Sequence, residues 1–154
     1  MGTMKGGGMT RLQRIEAVNG YLEERADRAA RAMVRARQRV EQEAQRLEQL
    51  RQFRQEYKAQ FAGADRDVIN AFRLRDFNAF IARLDSAVSR QEHHLEEVRK
   101  EAARAESHWQ AERSRADALE KVADSYRQER DRRDADAEQQ LSDEIAMQRY
   151  RFRG

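Results

Sequence analysis

Residues 12–61 read LQRIEAVNGYLEERADRAARAMVRARQRVEQEAQRLEQLRQFRQEYKAQF. Apolar side chains recur in this stretch at alternating steps of three and four, the heptad pattern of a helix with one apolar stripe. The core positions of this heptad, only three of them polar, are Leu12, Ile15, Asn19, Leu22, Ala26, Ala29, Met33, Ala36, Val40, Glu43, Leu47, Leu50, Arg54, Tyr57 and Phe61. A helix this polar does not stand alone, because its stripe must be covered by another helix. The pattern predicts a long helix over residues 9–61.

The composition of the chain favours an extended coiled coil over a compact domain. Charged residues make up 38% of the 154 residues, aromatic residues make up 7%, and the mean hydropathy is −1.09. A compact domain of this size buries about two-thirds of its unfolded surface, and this composition cannot fill such an interior. Disorder is the competing interpretation, but disordered segments seldom keep a regular heptad.

Several classes of protein are excluded by what the sequence lacks. Its apolar runs are only a few residues long, so we expect no membrane span and no secretory signal. The absence of cysteine excludes disulfides and thiolate metal sites, and it fits a reducing cytosol. We therefore expect a soluble, cytoplasmic protein. Residues 1–8, MGTMKGGG, resemble a flexible leader or residues added for expression.

The heptad is interrupted at residues 62–67, AGADRD, where we expect the chain to turn. Gly63 suits the C-terminal cap of the first helix, and Asp65 or Asp67 suits the start of the next one. The residues that follow are rich in aromatic and aliphatic side chains out of heptad phase. We predict the turn and one or two short helices over residues 62–80, packed against the aromatic residues that end the first helix.

A second long helix is predicted over residues 76–150. Its core positions, again with few polar exceptions, are Ile81, Leu84, Val88, Gln91, Leu95, Val98, Ala102, Ala105, Trp109, Glu112, Ala116, Leu119, Ala123 and Tyr126. Past Tyr126 the same register falls mostly on charged or polar residues. Because both helices rise equally per residue, antiparallel pairing leaves this part of the second helix without a partner. We therefore predict an overhang from Tyr126 onward and a disordered tail at residues 151–154.

Charge supports antiparallel pairing of the two helices within one chain. Residues 9–61 contain 12 Lys/Arg and 8 Asp/Glu, a net charge of +4, whereas residues 67–150 contain 15 and 19, a net charge of −4. Complementary exposed pairs set the partner and the orientation more than the stability. The predicted fold class is all-α: residues 9–150 form a single, monomeric, antiparallel two-helix coiled coil with a short-helix head near the turn. An intermolecular coiled coil is the alternative.

No group of residues in the sequence predicts catalysis, a metal site or a cofactor. The only histidines are His93, His94 and His108, and the last two would share a helix face about 21 Å apart, too far to bind one ion. A two-helix coil has no concave pocket that desolvates a carboxylate. Residues 6–8 are glycines, but they lack the Lys-Ser/Thr and the strand of a phosphate loop. We predict a non-enzyme with solvent-facing histidines.

Two further groups of polar residues have both a structural and a functional interpretation. The run RADRAARAMVRARQR at residues 25–39 has six arginines against one aspartate, which suggests nucleic-acid binding. Its arginines spread around the helix, however, so a solvated and partly ion-paired face is favoured and no nucleic-acid partner is expected. The polar residues at core positions are expected to fix the register of helix pairing, and they are Asn19, Glu43, Gln91 and Glu112.

Several stretches resemble the FliJ family of flagellar export proteins, small coiled-coil components of type III secretion. Residues 47–57, LEQLRQFRQEY, are similar to the family pattern L-x2-L-x2-Y-x2-E-Y. Residues 78–91, NAFIARLDSAVSRQ, are similar to F-x3-L-x2-A-I-x2-Q, and Asp143 with Glu144 is similar to the closing D-E-x-A. The resemblance covers residues 9–150 and depends on the order and spacing of these motifs.

The resemblance implies a stalk that is similar to the rotor γ subunit of ATP synthases. Such a stalk binds the hexameric export ATPase FliI and promotes its assembly and activity. The end that carries both termini would enter the ring, and the implied contact residues are Leu12, Ile15, Leu22, Leu119, Tyr126, Arg127, Arg130 and Arg133. The other end would contact the cytoplasmic domain of the export gate FlhA through a stripe at i, i+4, i+7 and i+11, which is Phe80, Leu84, Ala87 and Gln91.

This sequence departs from the family pattern at two positions near the gate stripe. Gln91 replaces a histidine of some relatives, and Phe77 fills a position of tyrosine type. The stripe also overlaps the predicted core, since Leu84 and Gln91 are core positions.

The resemblance further implies export chaperones as partners and peripheral association with the inner membrane at the flagellar basal body. A YscO-like stalk of virulence type III secretion has the same predicted fold and mechanism. Alternatives of another class are a generic coiled-coil scaffold, which would dimerise and ignore the ATPase, and a basic nucleic-acid-binding protein, whose binding would weaken steeply with salt.

Overall fold

The computed structural model describes residues 8–63 and 71–153, and nearly all of them are helical. Helix α1 spans Arg11–Ala62 and has 52 residues, and helix α2 spans Ala71–Arg153 and has 83 residues. The described residues contain no strand. The predicted all-α class and the two long helices are thereby confirmed. The second helix begins earlier and ends later than the predicted range of 76–150.

Helix α1 begins at a capping box. The backbone N–H of Thr10 donates to Gln13 Oε1 at 2.9 Å, and the backbone N–H of Gln13 donates to Thr10 Oγ1 at 3.1 Å. The N–H of Arg14 donates to the Thr10 carbonyl at 3.1 Å, which is the first bond of the helical series. The Thr10 and Gln13 side chains each satisfy a backbone N–H that has no partner within the helix. The helix therefore begins two residues later than the predicted residue 9.

Helix α1 ends directly before Gly63, the residue predicted as its cap. The N–H of Gly63 donates to the Ala59 carbonyl at 2.9 Å. The predicted helix start at Asp65 or Asp67 lies outside the described residues. Most of the predicted leader, residues 1–7, lies outside them as well.

The predicted short-helix head is not present over residues 71–80, because α2 has already begun at Ala71. The prediction was wrong for this stretch, and residues 64–70 lie outside the described part of the chain. Phe77 and Phe80 are about one turn apart on α2, so both rings reach the aromatic side chains of α1 from one continuous helix. Packing of this aromatic segment therefore needs no break in α2.

The last residues of α2 also differ from the sequence prediction. Residues 151–153 are helical, where the sequence predicts a disordered tail. Arg151 and Arg153 lie in the last turn, and positive side chains there interact favourably with the helix dipole. These two positive charges therefore favour helical structure at residues 151–153, where the heptad pattern no longer continues.

The chain divides into two compact units. The terminal unit comprises Met1–Asp27 and Gln110–Gly154, and the middle unit comprises Arg28–Trp109. Within each unit, every core position predicted from the two heptads is buried or half-buried. The most buried apolar residues of the middle unit are Ala29, Met33, Leu47, Leu84, Leu95 and Val98. Alanines fill the core of the terminal unit, where Ala26, Ala116 and Ala123 are at most 1% exposed.

Ion pairs between α1 and α2 show the direction of pairing within each unit. In the terminal unit they include Glu16–Arg127 at 3.1 Å, Glu23–Arg113 at 2.6 Å and Arg25–Glu112 at 2.8 Å. In the middle unit they include Arg37–Glu106 at 3.0 Å, Arg39–Glu101 at 3.1 Å and Arg51–Glu92 at 3.2 Å. In each unit, residues with higher numbers on α1 pair with residues with lower numbers on α2. The antiparallel, charge-complementary pairing that the sequence predicts is therefore confirmed within each unit.

Candidate protein-binding surfaces

Helix α2 continues beyond the part paired with α1 as an overhang, residues 128–153, in which every residue is exposed. Tyr126 and Arg127 are still half-buried. The Arg11 guanidinium lies 5.5 Å from the centre of the Tyr126 ring, and Arg127 pairs with Glu16. The predicted overhang is present, and it begins two residues later than the sequence predicts.

The overhang carries large apolar side chains on its surface. Their exposed fractions are 59% for Leu141, 43% for Ile145, 60% for Met147, 81% for Tyr150 and 92% for Phe152. The sequence prediction missed this face because it continued the heptad register, which falls on residues such as Gln140 and Glu144. Leu141, Ile145 and Phe152 follow steps of four and seven, which is the heptad spacing shifted by one residue. Testing the shifted register would have found the stripe.

Most residues predicted to contact an ATPase ring lie between the two helices of the terminal unit. Half-buried in this core are Leu12, Ile15, Leu22, Leu119 and Tyr126. Arg130 and Arg133 are exposed on the overhang, where their guanidinium groups pair with Asp131 at 3.3 Å and Glu129 at 2.6 Å. Among the eight predicted residues, these two are therefore the exposed ones.

A groove of about 700 Å³ lies where α1 begins and the overhang leaves the paired part of the terminal unit. It is lined by Thr10, Arg11, Leu12, Gln13, Glu16, Tyr126, Glu129, Arg130 and Arg133. Four of the predicted ring-contact residues thus line one surface, although they are far apart in sequence. The groove combines two half-buried apolar side chains with exposed arginines.

Arg127 beside this groove is held by three carboxylates. Its guanidinium donates to Glu120 at 2.9 Å, to Glu16 at 3.1 Å and to Asp124 at 2.8 Å. These hydrogen bonds, the one to Glu120 first, raise the pKa of Arg127 above its ordinary value. The positive charge of Arg127 is therefore paired within the terminal unit. Its ion pair with Glu16 joins the beginning of α1 to the end of the paired part of α2.

The predicted gate stripe lies along the core of the middle unit. Leu84 is only 7% exposed, and Phe80 and Ala87 are half-buried. The side-chain amide of Gln91 donates to the Glu43 carbonyl at 3.1 Å and to Glu43 Oε2 at 2.7 Å. The edge of this stripe is therefore partly exposed, while α1 covers its centre.

Aromatic side chains of α1 and α2 pack together next to the gate stripe. The ring centres are 3.8 Å apart for Phe61–Phe77, 5.6 Å for Tyr57–Phe77, 4.4 Å for Tyr57–Phe80 and 6.1 Å for Phe53–Phe80. This packing confirms the predicted contact of the aromatic segment with the end of α1. Large apolar side chains remain exposed in the same unit, namely Phe72 at 74%, Leu74 at 47% and Phe53 at 49%.

Glu43 is a polar core residue of the middle unit that contacts several side chains. Its side chain is 6% exposed and accepts the Gln91 amide, while Arg46 lies at 2.8 Å and His94 at 3.6 Å. The hydrogen bond from Gln91, followed by the positive charge of Arg46, holds the pKa of Glu43 below its ordinary value. A slip in register would separate Gln91 from Glu43, so this pair supports the register-fixing interpretation.

In the terminal unit two more polar core residues bond across the helices. The side-chain amide of Asn19 donates to Glu120, and Arg25 donates to Glu112 at 2.8 Å. The Glu112 side chain is 2% exposed, and its attraction raises the pKa of Arg25. These contacts again join specific positions of α1 and α2.

The basic run at residues 25–39 is partly ion-paired, as predicted. In the terminal unit Arg25 pairs with Glu112, and in the middle unit Arg37 and Arg39 pair with carboxylates of α2. These three arginines are therefore matched by acidic side chains of the same chain. That arrangement weakens the nucleic-acid interpretation, which needs unmatched positive charge along the helix.

Other kinds of site were sought over residues 8–63 and 71–153. No group of three His, Asp or Glu side chains in these ranges is placed to hold a metal ion. The three histidines are exposed, as predicted. None of the described helices contains a stretch that is both long and apolar enough to cross a membrane.

Comparison with protein families identifies the family of this chain. The family model described as "FliJ: Flagellar FliJ protein" matches residues 11–154, a range that includes both helices and the overhang. The searches of curated proteins and of solved structures return no match to this chain.

Proposed function

The chain belongs to the FliJ family of flagellar proteins, and on this premise we propose that it is a non-enzymatic stalk of the flagellar type III export apparatus. The stalk binds the export ATPase ring, promotes its assembly and activity, and links it to the export gate. The observation that carries the proposal is the overhang, in which 26 consecutive helical residues are exposed.

The shape of the overhang suits insertion into a ring. A single α-helix with its side chains is about 10–12 Å across, so the overhang is narrower than a pair of helices. Its apolar side chains are exposed, and Arg130 and Arg133 pair with neighbours on the same exposed helix rather than with α1. We therefore assign ring binding to the overhang and the adjoining groove, with Arg130 and Arg133 as the exposed members of the predicted contact set.

Stimulation of the ATPase tests this proposal. A partner that binds the assembled ring and not the free subunits favours assembly by mass action. ATP hydrolysis by the flagellar export ATPase of the same organism should therefore rise most at enzyme concentrations below those at which the ring assembles unaided. A concentration series with and without the chain measures this effect.

Charge reversal on the overhang localises the contact. Arg130→Glu/Arg133→Glu should abolish most of the stimulation, because both side chains are exposed and line the groove. Arg31→Glu/Arg35→Glu is the matched control, since it reverses two exposed arginines of α1 in the middle unit. Equal stimulation by the Arg130→Glu/Arg133→Glu variant and the unchanged chain would contradict a contact at this end.

The middle unit supplies the proposed contact with the export gate. We assign this contact to the edge of the stripe formed by Phe80, Leu84, Ala87 and Gln91, next to exposed aromatic residues. Phe80→Ala/Leu84→Ala should abolish binding to the cytoplasmic domain of the gate. Leu95→Ala is the control for general loss of packing, because Leu95 is equally buried but lies outside the stripe.

Comparing Phe80→Ala/Leu84→Ala with Leu95→Ala separates a local contact from an effect on the fold. Retained binding by Phe80→Ala/Leu84→Ala would contradict the assignment, and so would equal loss of binding in both variants. Binding to the ATPase and the gate would place the chain in the cytoplasm, peripherally at the inner membrane of the flagellar basal body. Export chaperones are further proposed partners.

A further inference from the structure

Six charged side chains in the second half of the overhang have no opposite charge three or four residues away: Glu138, Asp143, Glu144, Arg149, Arg151 and Arg153. Partners on a helix surface lie three or four residues away. Arg133 has such a partner in Glu129, at 2.6 Å. Glu138, Arg149 and Arg153 are among the six that have none. In the described part of the chain, none of these three takes part in an ion pair.

These three charges flank one side of the apolar stripe. With 3.6 residues per turn, Glu138, Arg149 and Arg153 lie about 20°, 40° and 80° to one side of Ile145. The open groove on this face is lined by Glu138, Leu141, Ser142, Ile145, Ala146, Arg149, Tyr150 and Arg153. The acidic residue precedes Ile145 and the two basic residues follow it. The charge on this side of the helix therefore changes from negative to positive at Ile145.

Three apolar residues and Gln148 lie on the other side of the same stripe. Leu141 and Phe152 lie about 40° and 20° away from Ile145 in the opposite direction, and Ala137 lies about 80° away. Ala137 and Leu141 precede Ile145, and the Phe152 ring follows it. Each side is therefore complementary to the same side of a second, identical helix that runs in the opposite direction and is centred on Ile145.

We propose that the overhang binds the overhang of a second copy of this chain, with the two helices antiparallel and a two-fold axis at Ile145. In an isologous interface of this kind, each side of one helix meets the same side of its partner. Glu138 then meets Arg149 and Arg153 of the second copy, and Phe152 enters the space beside Ala137 and Leu141. The two Ile145 side chains meet at the axis.

Antiparallel pairing is favoured over parallel pairing by charge. In a parallel pair in register, each Glu138, only about 20° from Ile145 around the helix, would lie beside Glu138 of the other copy. Like charges directly opposed are destabilising. The antiparallel arrangement replaces this contact with pairs of opposite charge.

The predicted dimer is weak. Residues 137–153 overlap in this arrangement, a length of about 25 Å at 1.5 Å per residue. Such an overlap belongs with the small interfaces of transient complexes. A dissociation constant in the micromolar range is expected, and dimerisation would cover part of the face assigned above to ring binding.

Cysteine cross-linking tests the register directly, because the chain contains no cysteine. Under mild oxidation Ile145→Cys should give a disulfide-linked dimer, since only residues at the axis lie next to their own copies. Leu141→Cys should not cross-link, because its copies would be offset by eight residues, about 12 Å. Asp143→Cys on the opposite face is the control for random collision.

The cross-linking outcomes separate the arrangements. Equal cross-linking of Leu141→Cys and Ile145→Cys would indicate parallel pairing and overturn the proposal. No cross-linking of Ile145→Cys above the level of Asp143→Cys would overturn it as well.

Charge reversal gives a second test that depends on both copies. Glu138→Arg makes the charged side entirely basic, and Arg149→Glu/Arg153→Glu makes it entirely acidic. Each variant alone should dimerise about tenfold more weakly in sedimentation equilibrium, because like charges then face each other. A mixture of the two should form a one-to-one heterodimer, since every facing pair again has opposite charge. A monomeric mixture, or undiminished association of either variant alone, would overturn the proposal.

These measurements use the full chain without any ATPase. Failure of the dimer proposal therefore leaves the proposed stalk function untouched. Likewise, if the chain does not stimulate the ATPase, the dimer proposal is unaffected, because sedimentation measures the mass of the chain without the ATPase.

Discussion

Residues 110–127 and residues 128–153 are consecutive parts of α2 in the terminal unit, but they differ completely in burial. In the first part Glu112, Ala116 and Ala123 are at most 2% exposed, whereas every residue of the overhang is exposed. Charged residues number 8 of 18 in the first part and 13 of 26 in the second, so charge content does not explain the difference. The paired part lies opposite α1, and α1 begins at Arg11.

This comparison shows that helix formation and packing are separate properties of α2. The helix continues without interruption to Arg153 although its partner does not. Local ion pairs such as Arg133–Glu129 support the overhang, whereas an apolar core supports the paired part. Mutations that act through packing should therefore affect only the paired part.

The largest expected effect comes from placing a charge in the core of the paired part. Ala116→Asp should lower the free energy of unfolding by about 3 kcal/mol, because it buries a carboxylate without a partner. Ala135→Asp is the matched control on the overhang, where the change should stay within about 0.5 kcal/mol. Urea denaturation followed by circular dichroism measures both. Similar losses in the two variants would remove the distinction between the two parts.

Removing the buried carboxylate of Glu43 in the middle unit should affect stability differently from removing the exposed carboxylate of Glu138 on the overhang. The pKa of Glu43 is lowered in the folded state, so its stabilising contribution is present above the ordinary value of 4.5. That contribution is lost as the pH falls through the lower folded value. Glu43→Gln should therefore be less stable than the unchanged chain at neutral pH, and the difference should shrink below about pH 4.5.

Glu138→Gln on the overhang is the comparison variant. At neutral pH it should be as stable as the unchanged chain, because in the described residues no ion pair involves Glu138. Melting temperatures measured from neutral to acidic pH test both variants. A constant difference for Glu43→Gln across this range would contradict the role given to its carboxylate.

Ion pairs should contribute more in the paired part than on the overhang. Arg127→Ala removes contacts with Glu16, Glu120 and Asp124, one of which joins α1 to α2. It should lower the melting temperature at low salt, and by less near 1 M salt, where the screening length is about 3 Å. Arg133→Ala should leave the melting temperature unchanged, since its pair lies within one exposed helix. An equal response of both variants to salt would argue against interhelical coupling through Arg127.

The smallest effect on stability is expected from removing the overhang altogether. A chain that ends at Arg127 should unfold with a free energy within about 0.5 kcal/mol of the full chain, because the overhang covers no core. It should nevertheless lose about a fifth of the helical signal. Circular dichroism and denaturation of the same samples measure the two quantities. A large loss of stability would show that the overhang packs against the rest of the unit.

Sequence periodicity predicted the buried positions better than it predicted the chain's ends and surfaces. The heptad correctly placed even polar residues such as Glu43 and Glu112 in the core, because the stripe depends on position rather than on residue type. It failed for the start of α2, since aromatic residues out of heptad phase resembled a separate element. It also missed the apolar face around Ile145, where the heptad register shifts by one residue.

The candidate surfaces were only partly predictable. The motif at residues 78–91 indicated a gate stripe, but the structure buries Leu84 and bonds Gln91 to Glu43 across the helices. Sequence similarity does not distinguish residues that pack within the chain from residues that face a partner. The groove beside Tyr126 joins residues more than a hundred positions apart, and only the pairing of the helices brings them together.

The sequence by itself determined two long helices, the faces they bury and their antiparallel direction. It could do so because helical periodicity and charge complementarity repeat along the chain and are readable wherever they occur. The heptad also predicted the end of pairing to within two residues and the core positions of the gate stripe. Only the tertiary structure decided which arginines remain exposed and which residues come together in the groove beside Tyr126. These properties depend on the register between α1 and α2, which contacts such as Gln91 with Glu43 and Arg127 with Glu16 fix across the helices.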